Sequence, residues 1–142
     1  MVAPRTTIED RMREARSRIE RLTPSEAHAA AARGAIIVDV RCGDDRVRDG
    51  EIPGAVHVPL SVLEWRCDPA SESADDRVSD LDRTIILVCK EGYSSSLAAA
   101  TLKDLGFRQP GDVIGGFVAR LSDGLPVDRD VRLPTAESDY SG

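Results

Sequence analysis

Ile8, Met12, Ala15, Ile19 and Leu22 recur at steps of four, three, four and three residues, the spacing of one helical face. Thr7 and Asp10 stand where a capping box would open that helix. The pattern predicts an amphipathic helix over residues 8–22, read as packing on its own domain in preference to forming a coiled coil, for which it has too few repeats. Thr23-Pro24-Ser25-Glu26 supplies a second N-cap, with Pro at the first helical position, and the Ala-rich run that follows stops at Gly34. Ala35-Ile36-Ile37-Val38-Asp39-Val40 and Thr84 to Cys89 are short, nearly continuous apolar runs, as expected of strands buried on both faces. Between them lie the turn Ile52-Pro53-Gly54-Ala55, a short extended Val56-His57-Val58 and a brief helix opened by Ser61. Residues 68–82 read as a solvated acidic loop. Leu97 to Leu105, closed by Gly106, reads as a helix; Asp112 to Ile114 as extended; the residues after Gly115-Gly116 as a last short helix through Leu121; and residues 134–142 as a polar tail.

Strands alternating with helices imply an α/β domain with a mostly parallel sheet, whose sites lie at the carboxyl ends of the strands. A length of 142 residues suits one such domain. The charge is uneven: residues 1–23 hold six Arg against four acids, while the whole chain carries 19 basic and 25 acidic residues, a net of -6. The first 23 residues are therefore read as an N-terminal extension, followed by a body over 24–133 and the tail over 134–142. No basic block is present, which argues against nucleic acid as a partner. No apolar run approaches the ~20 residues of a membrane-spanning helix. Met1 to Arg5 lead into a charged segment instead of an apolar signal core, so the expected compartment is the cytoplasm. His28 and His57 are separated and no Cys-x-x-Cys occurs, so neither a disulfide framework nor a zinc site is indicated.

Three cysteines remain, Cys42, Cys67 and Cys89. Cys89 ends an apolar strand and precedes the turn Lys90-Glu91-Gly92-Tyr93-Ser94, with a helix beginning near Ser95. A glycine in such a turn lets successive N–H groups point inward, and the helix adds its positive terminus, so the loop is a candidate anion nest. A thiolate, the nucleophilic form of cysteine, would be stabilised there. Cys42 follows the first central strand and is a candidate resolving thiol, read more simply as a loop residue out of reach; Cys67 is read the same way.

Asp39-Val40-Arg41, Glu51-Ile52-Pro53-Gly54-Ala55, Cys89-Lys90-Glu91-Gly92-Tyr93-Ser94-Ser95 and Gly115-Gly116-Phe117 with Gly124-Leu125-Pro126-Val127, in this order, resemble a single-domain rhodanese over about residues 25–132. The resemblance implies a five-stranded parallel sheet flanked by helices on both faces. It also implies a sulfurtransferase in which Cys89 takes the sulfane sulfur of a small anionic donor such as thiosulfate, becomes a persulfide and passes the outer sulfur to a thiol or cyanide. Lys90, Glu91, Gly92, Tyr93, Ser94 and Ser95 then form the substrate and anion loop, and the chemistry so implied needs no metal or organic cofactor. Lys90 is a candidate for steering the donor, although Glu91 leaves the loop net neutral and makes a persulfide-donating protein an alternative source of sulfur. Asp39 and Arg41 are expected to be a structural ion pair.

Glu51 and Arg120 stand where the family often has His and Trp, and are read as changes of packing or surface. Trp65 is read as a packing anchor and Arg66 as a possible substrate contact. Two other functions remain open. One is a persulfide carrier or binding module serving a partner, with the first helix as docking surface. The other is a phosphatase or arsenate reductase, disfavoured because such loops are typically one residue longer and closed by Arg, where Ser94 and Ser95 stand here. Oligomeric state is not legible.

Overall fold

A computed structural model of the chain describes residues 4–130; the expected tail over 134–142 lies outside the described residues. Five parallel strands form one sheet in the order β1-β5-β4-β2-β3: β1 (Glu20–Leu22), β2 (Ile36–Asp39), β3 (Val56–His57), β4 (Ile85–Val88) and β5 (Pro110–Val113). Six α-helices surround it: α1 (Ile8–Ser17), α2 (Pro24–Ala32), α3 (Gly43–Asp49), α4 (Leu63–Cys67), α5 (Ser94–Asp104) and α6 (Gly116–Ser122). The expected fold class, a five-stranded parallel sheet with helices on both faces, is observed. Among the described residues no helix is long and apolar enough to cross a membrane.

The central strands alternate between two apolar layers, because successive side chains of a strand point to opposite faces. Val38, Val40, Ile85, Leu87 and Cys89 join Leu63, Cys67, Ala98, Ala99, Leu102 and Phe107 on one side. Ile37, Ile86 and Val88 join Ala27, Val113 and Phe117 on the other. The Cys89 side chain therefore shares the layer packed by α4 and α5.

The first helix is shorter than its periodicity predicts. Both capping-box bonds at Thr7 are present, but the helix ends at Ser17, and Glu20–Leu22 becomes the edge strand β1. Ile19 and Leu22 do turn inward, one to each apolar layer; strand pairing with Gly111, Asp112 and Val113 offers residues 20–22 a partner that local periodicity cannot reveal. α1 lies along α5, with Ala15 buried and Arg18 paired to Asp104, so it packs on its own domain. Trp65 is a second correction: its side chain is 60% exposed. In the short α4, Leu63 and Cys67, four residues apart, take the inward face and leave Trp65 outside. The acidic loop is anchored as well as solvated, since Val78 is fully buried in the core and Leu81 packs against it.

Candidate active site

Cys89 follows the last residue of β4, at the carboxyl end of the sheet, and its side chain is nearly buried. The Gly92 N–H donates to Cys89 Sγ at 3.1 Å and the Ser95 N–H at 3.4 Å. The Ser95 hydroxyl lies 3.2 Å from the same sulfur. α5 carries no acid in its first turn, whereas α1, α2, α3 and α4 each do, so the positive end of α5 faces the sulfur unopposed from within its own helix. Burial pushes the Cys89 thiol up, but hydrogen bonds from the Ser95 and Ser94 side chains and from the Ser95 and Gly92 backbone outweigh it, and the thiol lies below its ordinary range.

The loop that carries these N–H groups is fixed through the carbonyls of its other peptides. The Phe117 N–H donates to the Cys89 carbonyl (2.9 Å) and the Val118 N–H to the Lys90 carbonyl (3.0 Å), so the first turn of α6 holds the loop from behind. That approach requires glycine. Gly92 (φ +87°) leaves no room for a side chain, since a Cβ there would sit 2.7 Å from the Gly115 nitrogen; a Cβ on Gly116 (φ +58°) would meet the Cys89 carbonyl oxygen at 2.5 Å. The Gly92 carbonyl in turn accepts from Arg16 Nη2 (2.9 Å) and Arg21 Nη2 (3.1 Å), which reach it from the N-terminal extension.

Above the sulfur is a cavity of about 370 Å³ lined by Val40, Arg41, Cys42, Asp45, Pro59, Leu60, Ser61, Cys89, Lys90 and Ser94. Of the loop residues singled out from sequence, Lys90 and Ser94 stand on this wall beside Cys89. Gly92 and Ser95 are buried and engage the sulfur from within the loop. Glu91 is exposed and outside the cavity lining, and Tyr93 is 62% exposed, with its ring facing the Arg16 guanidinium at 5.6 Å. Arg66 also stands outside the cavity lining; its Nη1 donates to the Ser73 carbonyl at 3.3 Å, at the base of the acidic loop. Cys42 is an exposed part of the same cavity wall as Cys89. The reason is that β2 and β4 are in register, Asp39 beside Val88, so both chains leave the sheet at the same edge. Cys67 is fully buried in the core, where burial, with Asp75 and Glu64 nearby, pushes its thiol up to about 12.

Asp39 and Arg41 form the expected ion pair, both buried: Arg41 Nε and Nη2 each donate to one carboxylate oxygen, at 3.0 and 2.8 Å. The Arg41 guanidinium lies 3.6 Å from the Phe117 ring centre, which ties the DVR segment to the helix that holds the loop. The two departures from the family pattern are structural here. Arg120 donates twice to the Pro126 carbonyl, fixing the Gly124–Pro126 turn, and Glu51 pairs with Arg46.

Two acids of the site escaped the sequence reading: Asp45 on the cavity wall, and Asp112 behind the loop. Asp112 is fully buried in β5 and accepts from the Ser95 hydroxyl (2.8 Å), the Ser96 hydroxyl (2.7 Å) and Arg21 Nε (2.9 Å). The signal available was an acid within a strand otherwise suited to burial, just before the Gly-Gly turn. Its partner Arg21 is 91 positions away.

A doubly covered parallel sheet with a cysteine cradled by backbone N–H groups between a strand and a helix terminus defines a cysteine-loop α/β protein. The model of the rhodanese-like domain matches residues 23–122, and the chain belongs to that family. It is 36% identical over 98 residues to the thiosulfate sulfurtransferase GlpE of Pseudomonas syringae, covering 69% of this chain and 83% of that protein. It is 32% identical over 81 residues to a putative sulfur carrier protein, YrkF, of Bacillus subtilis, covering 57% of this chain and 38% of that one. Among solved structures, a protein of unknown function from Rhodopseudomonas palustris, described as a possible tyrosine phosphatase, superposes with a TM-score of 0.81 at 34% identity, covering 90% of this chain and 99% of that one.

Proposed function

We propose that the protein is a thiosulfate sulfurtransferase-type enzyme that moves a sulfane sulfur through a persulfide on Cys89. The observation that carries this reading is the convergence of the Gly92 N–H, the Ser95 N–H and the α5 terminus on the Cys89 sulfur at the floor of a cavity. In the first step the Cys89 thiolate attacks the outer sulfur of the donor, the sulfur–sulfur bond breaks and sulfite leaves with the bonding pair. In the second, cyanide or a thiolate attacks the outer persulfide sulfur and Cys89 departs as thiolate. Charge sits at or next to Cys89 Sγ throughout, so donors fixed by α6 and the arginines need no rearrangement between steps. Lys90 on the cavity wall gives an anionic donor a cationic approach, tempered by Asp45.

Incubation with thiosulfate is expected to add one sulfur atom to the intact mass, and Cys89→Ser to abolish that addition while Cys42→Ser retains it. An unmodified wild-type mass in the absence of reductant would overturn the reading. A persulfide carrier shares the first step and differs in the second; faster sulfur uptake from a cysteine desulfurase than from thiosulfate would favour the carrier. Phosphatase chemistry lacks a loop arginine, since Ser94 and Ser95 occupy that end and Arg41 is held by Asp39. Turnover of an aryl phosphate that is lost in Cys89→Ser would reinstate it.

A further inference from the structure

Behind the candidate nucleophile lies a polar chain that runs away from the cavity. Arg21 on β1 pairs with Asp112 on β5, to which it is directly registered; Asp112 accepts from Ser95, and Ser95 meets Cys89. We propose that Asp112, neutralised by Arg21, is a positioning residue that sets the ionisation of Cys89 through the single hydroxyl proton of Ser95. The proposal rests on the reading of Cys89 as the nucleophile.

A serine hydroxyl has one proton to give. At 2.8 Å from a fully buried carboxylate, the Ser95 proton belongs to Asp112, and toward Cys89 the oxygen presents lone pairs that accept the thiol S–H at 3.2 Å. With its proton on Asp112 the Ser95 hydroxyl stabilises the neutral thiol, and its downward pull on Cys89 is exerted only when that proton faces the sulfur. Ionisation requires the Ser95 proton to swing to the sulfur, leaving Asp112 with Ser96 and Arg21. The buried carboxylate therefore opposes thiolate formation in two ways, by claiming that proton and by its own negative charge, while Arg21 limits both effects.

Such opposition has a use in sulfur transfer. A thiol driven too far down in pKa is a weaker nucleophile, and the best attacking thiol titrates near the ambient pH. The Gly92 and Ser95 N–H groups and the α5 terminus all push Cys89 downward; burial pushes it up, and Asp112 is the charged group in contact with the loop that adds to that upward push. The other charges facing Cys89 are Lys90, Arg41 and Asp45 across the cavity, where Cys42 is the remaining ionisable group, and Arg16 at the Gly92 carbonyl. None of these touches Ser95 Oγ among the bonds described.

The two halves of the ion pair should act in opposite directions, which a merely structural role would not produce. The test follows the pH dependence of iodoacetamide alkylation at Cys89, read by peptide mass so that Cys42 does not interfere. Asp112→Asn, whose amide can donate to Ser95 and turn its proton toward the sulfur, is expected to lower the Cys89 midpoint by about one pH unit, a tenfold change in thiolate population below the midpoint. Arg21→Gln, which leaves the carboxylate uncompensated, is expected to raise it. With Ser95→Ala in place, the Asp112→Asn shift should fall to less than half. Shifts of the same sign in Asp112→Asn and Arg21→Gln, or an Asp112→Asn shift that Ser95→Ala leaves undiminished, would overturn the proposal. Circular dichroism and a melt of each variant accompany the titration; if Asp112→Asn does not fold, Arg21→Gln and Ser95→Ala still decide, since an unchanged or lowered midpoint in Arg21→Gln refutes the assignment. Alkylation needs no sulfur donor, so failure of this proposal leaves the thiosulfate mass shift intact, whereas failure of the persulfide reading removes the mass shift and leaves these titrations unchanged.

Discussion

Gly116→Ala isolates the contact on which the loop geometry depends. Gly116 has φ +58°, and its added Cβ would lie 2.5 Å from the Cys89 carbonyl oxygen, 2.7 Å from that of Lys90 and 2.8 Å from the Glu91 nitrogen. All three are backbone atoms, which cannot rotate aside as a flexible side chain would. The left-handed conformation alone costs an L-residue about 1–2 kcal/mol. Moving the loop off α6 also weakens the bonds from the Phe117 N–H to Cys89 and from the Val118 N–H to Lys90, each worth about 1 kcal/mol. A loss of roughly 3–4 kcal/mol follows, large against a typical total of about 5–15. Gly124→Ala is the matched control, because Gly124 has φ +71° but nothing within 4 Å of the Cβ position. It should lose only the conformational cost, about 1–2 kcal/mol. Urea unfolding measures both. The second readout is the Cys89 alkylation profile, which should move to higher pH in Gly116→Ala, as the Gly92 and Ser95 N–H groups shift off the sulfur, and stay in place in Gly124→Ala. Equal destabilisation of the two variants with unchanged Cys89 profiles would refute the account of how α6 holds the loop.

Asp39→Asn should destabilise by about 3–5 kcal/mol in urea unfolding, because it leaves the buried Arg41 guanidinium without its carboxylate; a cost under about 1 kcal/mol would show that the pair is dispensable. Cys67 links stability to alkaline pH. Its folded thiol sits at about 12, against an ordinary 9.0, so above pH 9 the unfolded chain gives up this proton first and stability falls with rising pH, by up to about 1.4 kcal/mol per unit until the folded value is reached. Between pH 9 and 10 the wild type should lose stability more steeply than Cys67→Ala; parallel slopes would remove the effect. In the native protein at pH 7–8, iodoacetamide should modify Cys42 and Cys89 but not Cys67, with Cys89 reacting from a lower pH than a free thiol because its folded value is depressed. Modification of Cys67 without unfolding, read by peptide mass, would contradict its place in the core. Thr23→Ala, which removes the bond from the Glu26 N–H to the Thr23 hydroxyl at the start of α2, should cost about 1 kcal/mol, and a neutral melting temperature would count against the capping box.

What the sequence made legible, and what it did not, divides by the range of the interactions. The apolar runs of β2 and β4, the Thr23 capping box and the glycine-containing loop after Cys89 are local patterns, and each stands where its own residues imply. The resemblance to a rhodanese extended this to the fifth strand's existence, although not to its location: Glu20–Leu22 carries a helical spacing, and only pairing with β5, some 90 residues later, makes it a strand. The same separation hid the rear of the site. Asp112 reads locally as an ordinary polar residue before a Gly-Gly turn, and Arg21 as one of several arginines in a basic extension. Their bond across 91 positions is what gives either of them a connection to Cys89. Arg16 reaches the Ser96 hydroxyl and the Gly92 carbonyl over similar distances. The positive charge of the first 23 residues, visible as a bare count, is therefore partly accounted for by geometry: the loop contains Lys90 as its one cation, and two arginines from outside it hold the carbonyl of Gly92, the residue whose own N–H faces the sulfur. The extension that looked separable by composition thus contributes to the setting of the thiol, because a three-residue strand joins it to the sheet at the level where Asp112 lies.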